Sequence, residues 1–181
     1  MKIAVVGAGV AGSYVAKKLM EMGHEVTVYE YKDKTRGCEC AWGVPISHIK
    51  SITPNPPIIN RVNKVIINGI KIRVKNFGII EKRKWLNDIL PNDTIKGPLI
   101  DRNELRIYDY VIDATGYKRL LLGSSEREYI APTKQFLAIV DDLDSECAYF
   151  NIEKDGYSWA FPARDYWHIG SGSLSGANDK Y

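Results

Sequence analysis

The chain has 181 residues, 45% of them hydrophobic, and a formal net charge of +3 from 25 basic and 22 acidic side chains. This composition is enough for the core of one domain or slightly more and excludes a disordered chain. The basic runs, Lys71-Ile72-Arg73-Val74-Lys75 and Lys82-Arg83-Lys84, lack interleaved aromatics and read as solvated faces, so no nucleic-acid partner is expected.

The N-terminus gives the strongest pattern. An apolar strand ending at Val6 is followed by Gly7-Ala8-Gly9-Val10-Ala11-Gly12, an amphipathic helix through Met22, the apolar run Val26-Thr27-Val28-Tyr29, and Glu30. Strand, glycine turn, helix, strand and terminal acid, in that order, make up a dinucleotide-binding βαβ unit. Gly7 allows the tight turn, Gly9 removes a side chain that would hold a pyrophosphate off the backbone, and Gly12 lets the helix pack closely. The helix N-terminus then faces the phosphates. Glu30 is placed to accept from the ribose hydroxyls, and its charge would repel a 2′-phosphate, which disfavours NADP here.

Beyond Glu30 a polar loop runs from Tyr31 to Gly43, and Pro54-Asn55-Pro56-Pro57 excludes helix or central strand. Lys64 to Lys75 alternates around Asn68-Gly69, a β-hairpin signal. Glu81 to Leu90 predicts a helix with Trp85, Leu86, Ile89 and Leu90 on one side, stopped by Pro91. Tyr108 to Gly116 predicts a buried strand, and Gln135 to Asp141, Ala148 to Glu153 and Tyr157 to Pro162 are further candidate strands.

Cys38, Cys40 and Cys147 form no even disulfide set and read as thiols. With three scattered histidines they do not supply four zinc ligands, so no metal is expected. His24, His48 and His168 are assigned surface or structural roles. No apolar run reaches membrane-spanning length, which points to a cytoplasmic protein with peripheral membrane contact left open.

The strand Tyr108–Gly116, ending Ala114-Thr115-Gly116, resembles the Ala-Thr-Gly strand of two-dinucleotide-binding flavoproteins. Asp155-Gly156-Tyr157-Ser158-Trp159-Ala160-Phe161-Pro162, followed by Trp167-His168-Ile169-Gly170-Ser171-Gly172, resembles the Tyr-x-Trp-x-Phe-Pro element of the geranylgeranyl reductase family. Cys40-Ala41-Trp42-Gly43 is similar to that family's Cys-x-x-Gly segment. The resemblance implies an α/β flavoprotein of the p-hydroxybenzoate hydroxylase-like fold, with FAD as cofactor, that reduces double bonds in prenyl chains of lipids. It places Gly7, Gly9, Val10, Ala11, Gly12, Glu30, Ala114 and Gly116 at the cofactor, with Cys40 and Gly43 near the flavin. Tyr157, Trp159, Phe161 and Pro162 would line an apolar substrate cavity. Read without the resemblance, those aromatics are sheet core, and Cys40 is an inert small residue.

The implied domains are a FAD/NAD(P)-binding Rossmann-like domain over residues 1–123, with a β-hairpin insertion at 58–80, and the start of a β-rich substrate domain over 124–181. The family's later Gly-Asp segment is not found before Tyr181, and Leu90 to Asp109 is short. The chain therefore reads as the N-terminal half of a longer enzyme or a natural truncation. No catalytic residue is assigned, although Cys40 and Tyr157 are candidate proton donors. The implied partners are an apolar small molecule and an electron donor. The rival readings are an FAD-dependent monooxygenase of the same fold and a noncatalytic nucleotide-binding module.

Overall fold

The structure, a computed structural model, describes residues 1–31, 40–123 and 131–174. In chain order the first elements are β1 (Lys2–Val6), α1 (Val10–Glu21), β2 (Glu25–Tyr29), β3 (Gly43–Pro45), α2 (Ile46–Ile52), β4 (Ile58–Ile67) and β5 (Ile70–Ile80). They are followed by α3 (Lys82–Ile89), β6 (Tyr110–Asp113), β7 (Thr133–Ala138), β8 (Cys147–Glu153), β9 (Gly156–Ala163) and β10 (Tyr166–Ser173). The chain folds as two units, Met1–Cys38 with Lys82–Glu128, and Glu39–Glu81 with Tyr129–Tyr181.

The first unit is a parallel sheet ordered β2-β1-β6. Its centre is β1, a run of Ile3, Ala4, Val5 and Val6 that is buried on both faces, as a central parallel strand must be. Val6 is in register with Tyr29 on one side and Asp113 on the other, so all three strands end at one edge. Ligands of open parallel sheets bind beyond that carboxyl edge. Helix α3 packs on α1 and buries Trp85, Leu86 and Ile89, the residues whose helical spacing predicted that face. Strand β6 departs from the expected buried strand over Tyr108–Gly116. It is four residues long and, among the described residues, is paired only with β1, and Tyr110 and Val111 are exposed. An apolar run does not distinguish a central strand from an edge strand.

The second unit is a seven-stranded sheet ordered β3-β5-β4-β8-β9-β10-β7, antiparallel except for β4 against β8. Asn68 and Gly69 turn the β4–β5 hairpin with φ of 48° and 80°, both positive as a type I′ turn requires. The hairpin's strands extend past the expected Lys64–Lys75, and β4 pairs in parallel with β8. The segment at 58–80, read as an insertion in the first domain, is therefore part of the second sheet. The strand whose pairing decides this lies about 80 residues further along the chain, beyond the reach of local sequence patterns. Helix α2 was not expected. It is seven residues long and buries Ile46 and Ile49 immediately after Pro45.

Candidate functional site

The glycine turn at the carboxyl edge of the first sheet is built from steric necessity. Gly7 has φ of 103°, donates its N–H to the Tyr29 carbonyl at 2.8 Å, and has no room for a Cβ against the Ala114 carbonyl. A Cβ on Gly12 would overlap the Gly7 carbonyl oxygen and lie 3.1 Å from the Ala114 Cβ. Ala114, whose N–H bonds the Val6 carbonyl at 2.8 Å, is thus the third wall of the turn.

Gly9 is different. Its φ of −67° and ψ of −165° are open to any residue, and a Cβ there would meet no atom within 4 Å. Neither backbone conformation nor packing requires glycine at this position. What a Cβ would fill is the space in front of the α1 N-terminus, which carries no side-chain cap and where Val10 and Ala11 are exposed. Helix geometry leaves the N–H groups of Val10, Ala11 and Gly12 without intrahelical acceptors, and the positive end of the helix dipole adds to them. An anion is the partner that such a cradle fits.

Glu30 stands at the end of β2, and its Oε2 accepts the Ala8 N–H at 2.8 Å. The carboxylate therefore braces the glycine turn. Gly116, also assigned to the cofactor, has φ of 68° in an exposed turn with nothing near its Cβ position. Two polar residues of this edge were not singled out from the sequence. Ser13 is buried in α1, and its Oγ donates to the Ala8 carbonyl at 2.9 Å. Asp113 accepts from the Thr115 N–H and Oγ1 at 3.0 and 2.6 Å, and from the N–H groups of Leu121 and Leu122 at 2.9 and 3.2 Å. Burial pushes the Asp113 carboxyl up, but these hydrogen bonds outweigh it and hold the group below the usual range. An acid directly before Ala-Thr-Gly was the available signal.

In the second unit the four aromatic-motif residues do not form one wall. Successive side chains on a strand alternate faces, so Tyr157, Trp159 and Phe161 share one face of β9 and Pro162 lies on the other. Phe161 and Pro162 are buried, while Tyr157 is 47% exposed and Trp159 is intermediate. Phe161 packs edge-on against Phe77 and Phe150 with ring centroids 5.9 and 5.0 Å apart. A Cβ on Gly43 would fall 2.6 Å from Phe161 and 2.7 Å from Phe77, so this aromatic cluster accounts for the glycine. Trp159 lies across Gly170, where a Cβ would be 2.6 Å from its Cε2, and donates its indole N–H to Gln135 Oε1 at 3.3 Å. The glycine-bearing strand after the motif thus makes room for the tryptophan.

A cleft of about 610 Å³ opens on this sheet. Of the four motif residues it includes Trp159. The register row Ile66, Tyr149, Ala160, Ile169 and Phe136 forms its apolar floor.

Cys40 is exposed, and Cys147 is buried with its thiol donating to Asp144 Oδ2 at 3.2 Å. Burial and that carboxylate push the Cys147 thiol up, so it stays protonated. Cys38 lies outside the described residues. Among the described residues no group of three or more His, Cys, Asp or Glu side chains could hold a metal, and no helix is long and apolar enough to cross a membrane.

Residues 5–40 match the family described as an NAD(P)-binding Rossmann-like domain. An uncharacterized protein of Methanocaldococcus jannaschii is 25% identical over 220 residues, an alignment covering 94% of this chain and 60% of that protein. A geranylgeranyl bacteriochlorophyll reductase-like protein of Thermoplasma acidophilum has a crystal structure similar to this one. The TM-score is 0.76 at 19% identity, covering 96% of this chain and 56% of that one. The Klebsiella pneumoniae protein HpxO, crystallised with FAD and uric acid, gives a TM-score of 0.68 at 14% identity over 95% of this chain and 56% of that one. The chain thus spans between 56% and 60% of the length of these proteins, and it shares the fold of the two solved structures.

Proposed function

We propose that this chain is the cofactor-binding and substrate-sheet portion of an FAD-dependent oxidoreductase that reduces carbon–carbon double bonds in prenyl chains of lipids. The observation that carries the cofactor assignment is Gly9, a glycine explained by neither conformation nor packing and set before an uncapped helix N-terminus. Likeness in fold to a geranylgeranyl bacteriochlorophyll reductase-like protein and to a protein crystallised with FAD supports the same reading.

The residues of the turn fit the ADP half of FAD. Gly7, Gly9 and Gly12 keep the backbone bare, and the N–H groups of Val10 and Ala11 would bond the pyrophosphate. Glu30 would accept the ribose hydroxyls while still holding the Ala8 N–H. Bound FAD supplies hydride chemistry. Cys40 and Gly43 take their assigned place near the flavin in this proposal. Tyr157 and Trp159, the less buried aromatics of the motif, would give the substrate an apolar surface, and exposed Cys40 and Tyr157 are the candidate proton donors. An electron donor and contact with a membrane surface from the cytoplasm belong to the same proposal.

The test is an anaerobic incubation of the FAD-loaded, dithionite-reduced protein with geranylgeraniol, analysed by mass spectrometry. Products heavier by two hydrogens per double bond support the assignment. A hydroxylated product formed with a nicotinamide donor and oxygen would replace it with the monooxygenase reading. FAD retention without either product would refute prenyl reduction by this chain, and failure to retain FAD would remove the cofactor assignment itself.

A further inference from the structure

Among the described residues, two buried nitrogens of the second unit have no hydrogen-bond partner, Trp42 Nε1 and His168 Nε2. Their rings lie side by side with centroids 4.6 Å apart, and the two residues are 8% and 2% exposed. Leaving a buried polar group without a hydrogen bond is unfavourable, so an adjacent pair of them asks for an occupant.

The chemistry of that occupant follows from the neighbouring side chains. An indole N–H can only donate, so Trp159 fixes Gln135 Oε1 as the acceptor at 3.3 Å. The Gln135 Nε2 amide group, 3.2 Å from His168 Nδ1, is then a donor, and Nδ1 must offer its lone pair. Burial holds the imidazole neutral by lowering its pKa to about 4, so its one proton sits on Nε2. Both orphan groups are therefore N–H donors.

We infer that Trp42 and His168 form a two-donor site for the carbonyl oxygen of a neutral ligand, a site outside the cofactor turn. A carbonyl oxygen has two lone pairs and brings no hydrogen of its own. A water accepting from both donors would need acceptors for its own two hydrogens, which a carbonyl oxygen does not. A carboxylate would bury a charge that neutral donors alone compensate poorly. Because neither nitrogen touches solvent, entry requires Trp42 to move. Its backbone sits at φ of 62°, a left-handed conformation that a bulky residue holds only at some cost, and it stands two residues after exposed Cys40.

The test uses the ¹⁵N-labelled full chain, with the Trp42 indole signal identified by its loss in Trp42→Phe and the His168 ring nitrogens read by long-range ¹H–¹⁵N correlation. Cyclohexanone is the carbonyl probe, methylenecyclohexane its oxygen-free counterpart, and acetate the charged one. The expected result is a saturable downfield shift of both N–H signals with cyclohexanone alone, about tenfold weaker binding in Trp42→Phe, and an Nε2–H tautomer for His168. Gln135→Leu keeps both rings and should give a mixed His168 tautomer with weaker binding of the probe. Equal shifts with methylenecyclohexane, stronger binding of acetate, no saturable shift, or an Nδ1–H tautomer in the unsubstituted chain would each overturn the inference.

Discussion

Gly9→Ala and Gly12→Ala separate ligand space from packing within one turn. At Gly12 a Cβ overlaps the Gly7 carbonyl oxygen and crowds the Ala114 Cβ. Helix propensity returns about 1 kcal/mol for Gly→Ala, but overpacking against backbone costs about 1–3 kcal/mol and more where nothing can yield. A net loss of about 1–2 kcal/mol lowers Tm by about 2–8 °C for a chain of this size. At Gly9 the new methyl meets nothing within 4 Å and the backbone angles suit alanine, so Tm should stay within about 1–2 °C of the unsubstituted chain. The binding effect falls on Gly9→Ala, whose methyl enters the space assigned to the pyrophosphate. Losing one charge-assisted hydrogen bond there costs about 1.5–3 kcal/mol, or about 10- to 150-fold in Kd for FAD. Thermal unfolding without ligand and calorimetric titration with FAD read the two effects separately. Equal destabilisation by both substitutions, or unchanged FAD affinity in Gly9→Ala, would refute the reasoning.

Burial lowers the His168 pKa from 6.5 to about 4, so the unfolded chain takes up a proton that the folded one refuses as pH falls below about 6.5. Up to about 3 kcal/mol of stability should vanish between pH 6.5 and pH 4, and His168→Phe should flatten that part of a denaturant-midpoint profile. Asp113 titrates low in the folded chain, so its contribution is present above its unfolded pKa and is lost as pH drops below it. Asp113→Asn should cost about 1–3 kcal/mol at neutral pH and shrink the Tm difference between neutral and strongly acidic solution. Gly170→Ala should expel the Trp159 indole, remove its hydrogen bond to Gln135 and destabilise by about 1–3 kcal/mol, with a red-shifted tryptophan emission. An unshifted emission spectrum with unchanged stability would show that the indole does not lie over that glycine.

The elements legible in the sequence are those whose information is local. The β1–α1–β2 unit, the Asn68-Gly69 turn and the α3 face of Trp85, Leu86 and Ile89 follow from glycine placement and periodicity, and the structure has all three. The β4–β8 pairing joins segments about 80 residues apart, so nothing local placed the hairpin in the second sheet. The exposure of Tyr110 and Val111 depends on which neighbours β6 has, and a four-residue apolar strand does not encode that. In the aromatic motif, the strand period of two already separates Pro162 from Tyr157, Trp159 and Phe161, a signal present in the sequence and overlooked. The Gln135 link between Trp159 and His168 was not legible, because it needs the β7–β10 and β9–β10 registers together.

The most direct test of the central claim is the visible spectrum of the purified chain after incubation with FAD and gel filtration, run beside Gly9→Ala. Retained flavin absorbance that is lost or sharply reduced in Gly9→Ala, with both proteins folded, is the predicted result. A folded chain that emerges colourless, or a Gly9→Ala variant that retains FAD equally well, would contradict the assignment of this turn to the cofactor.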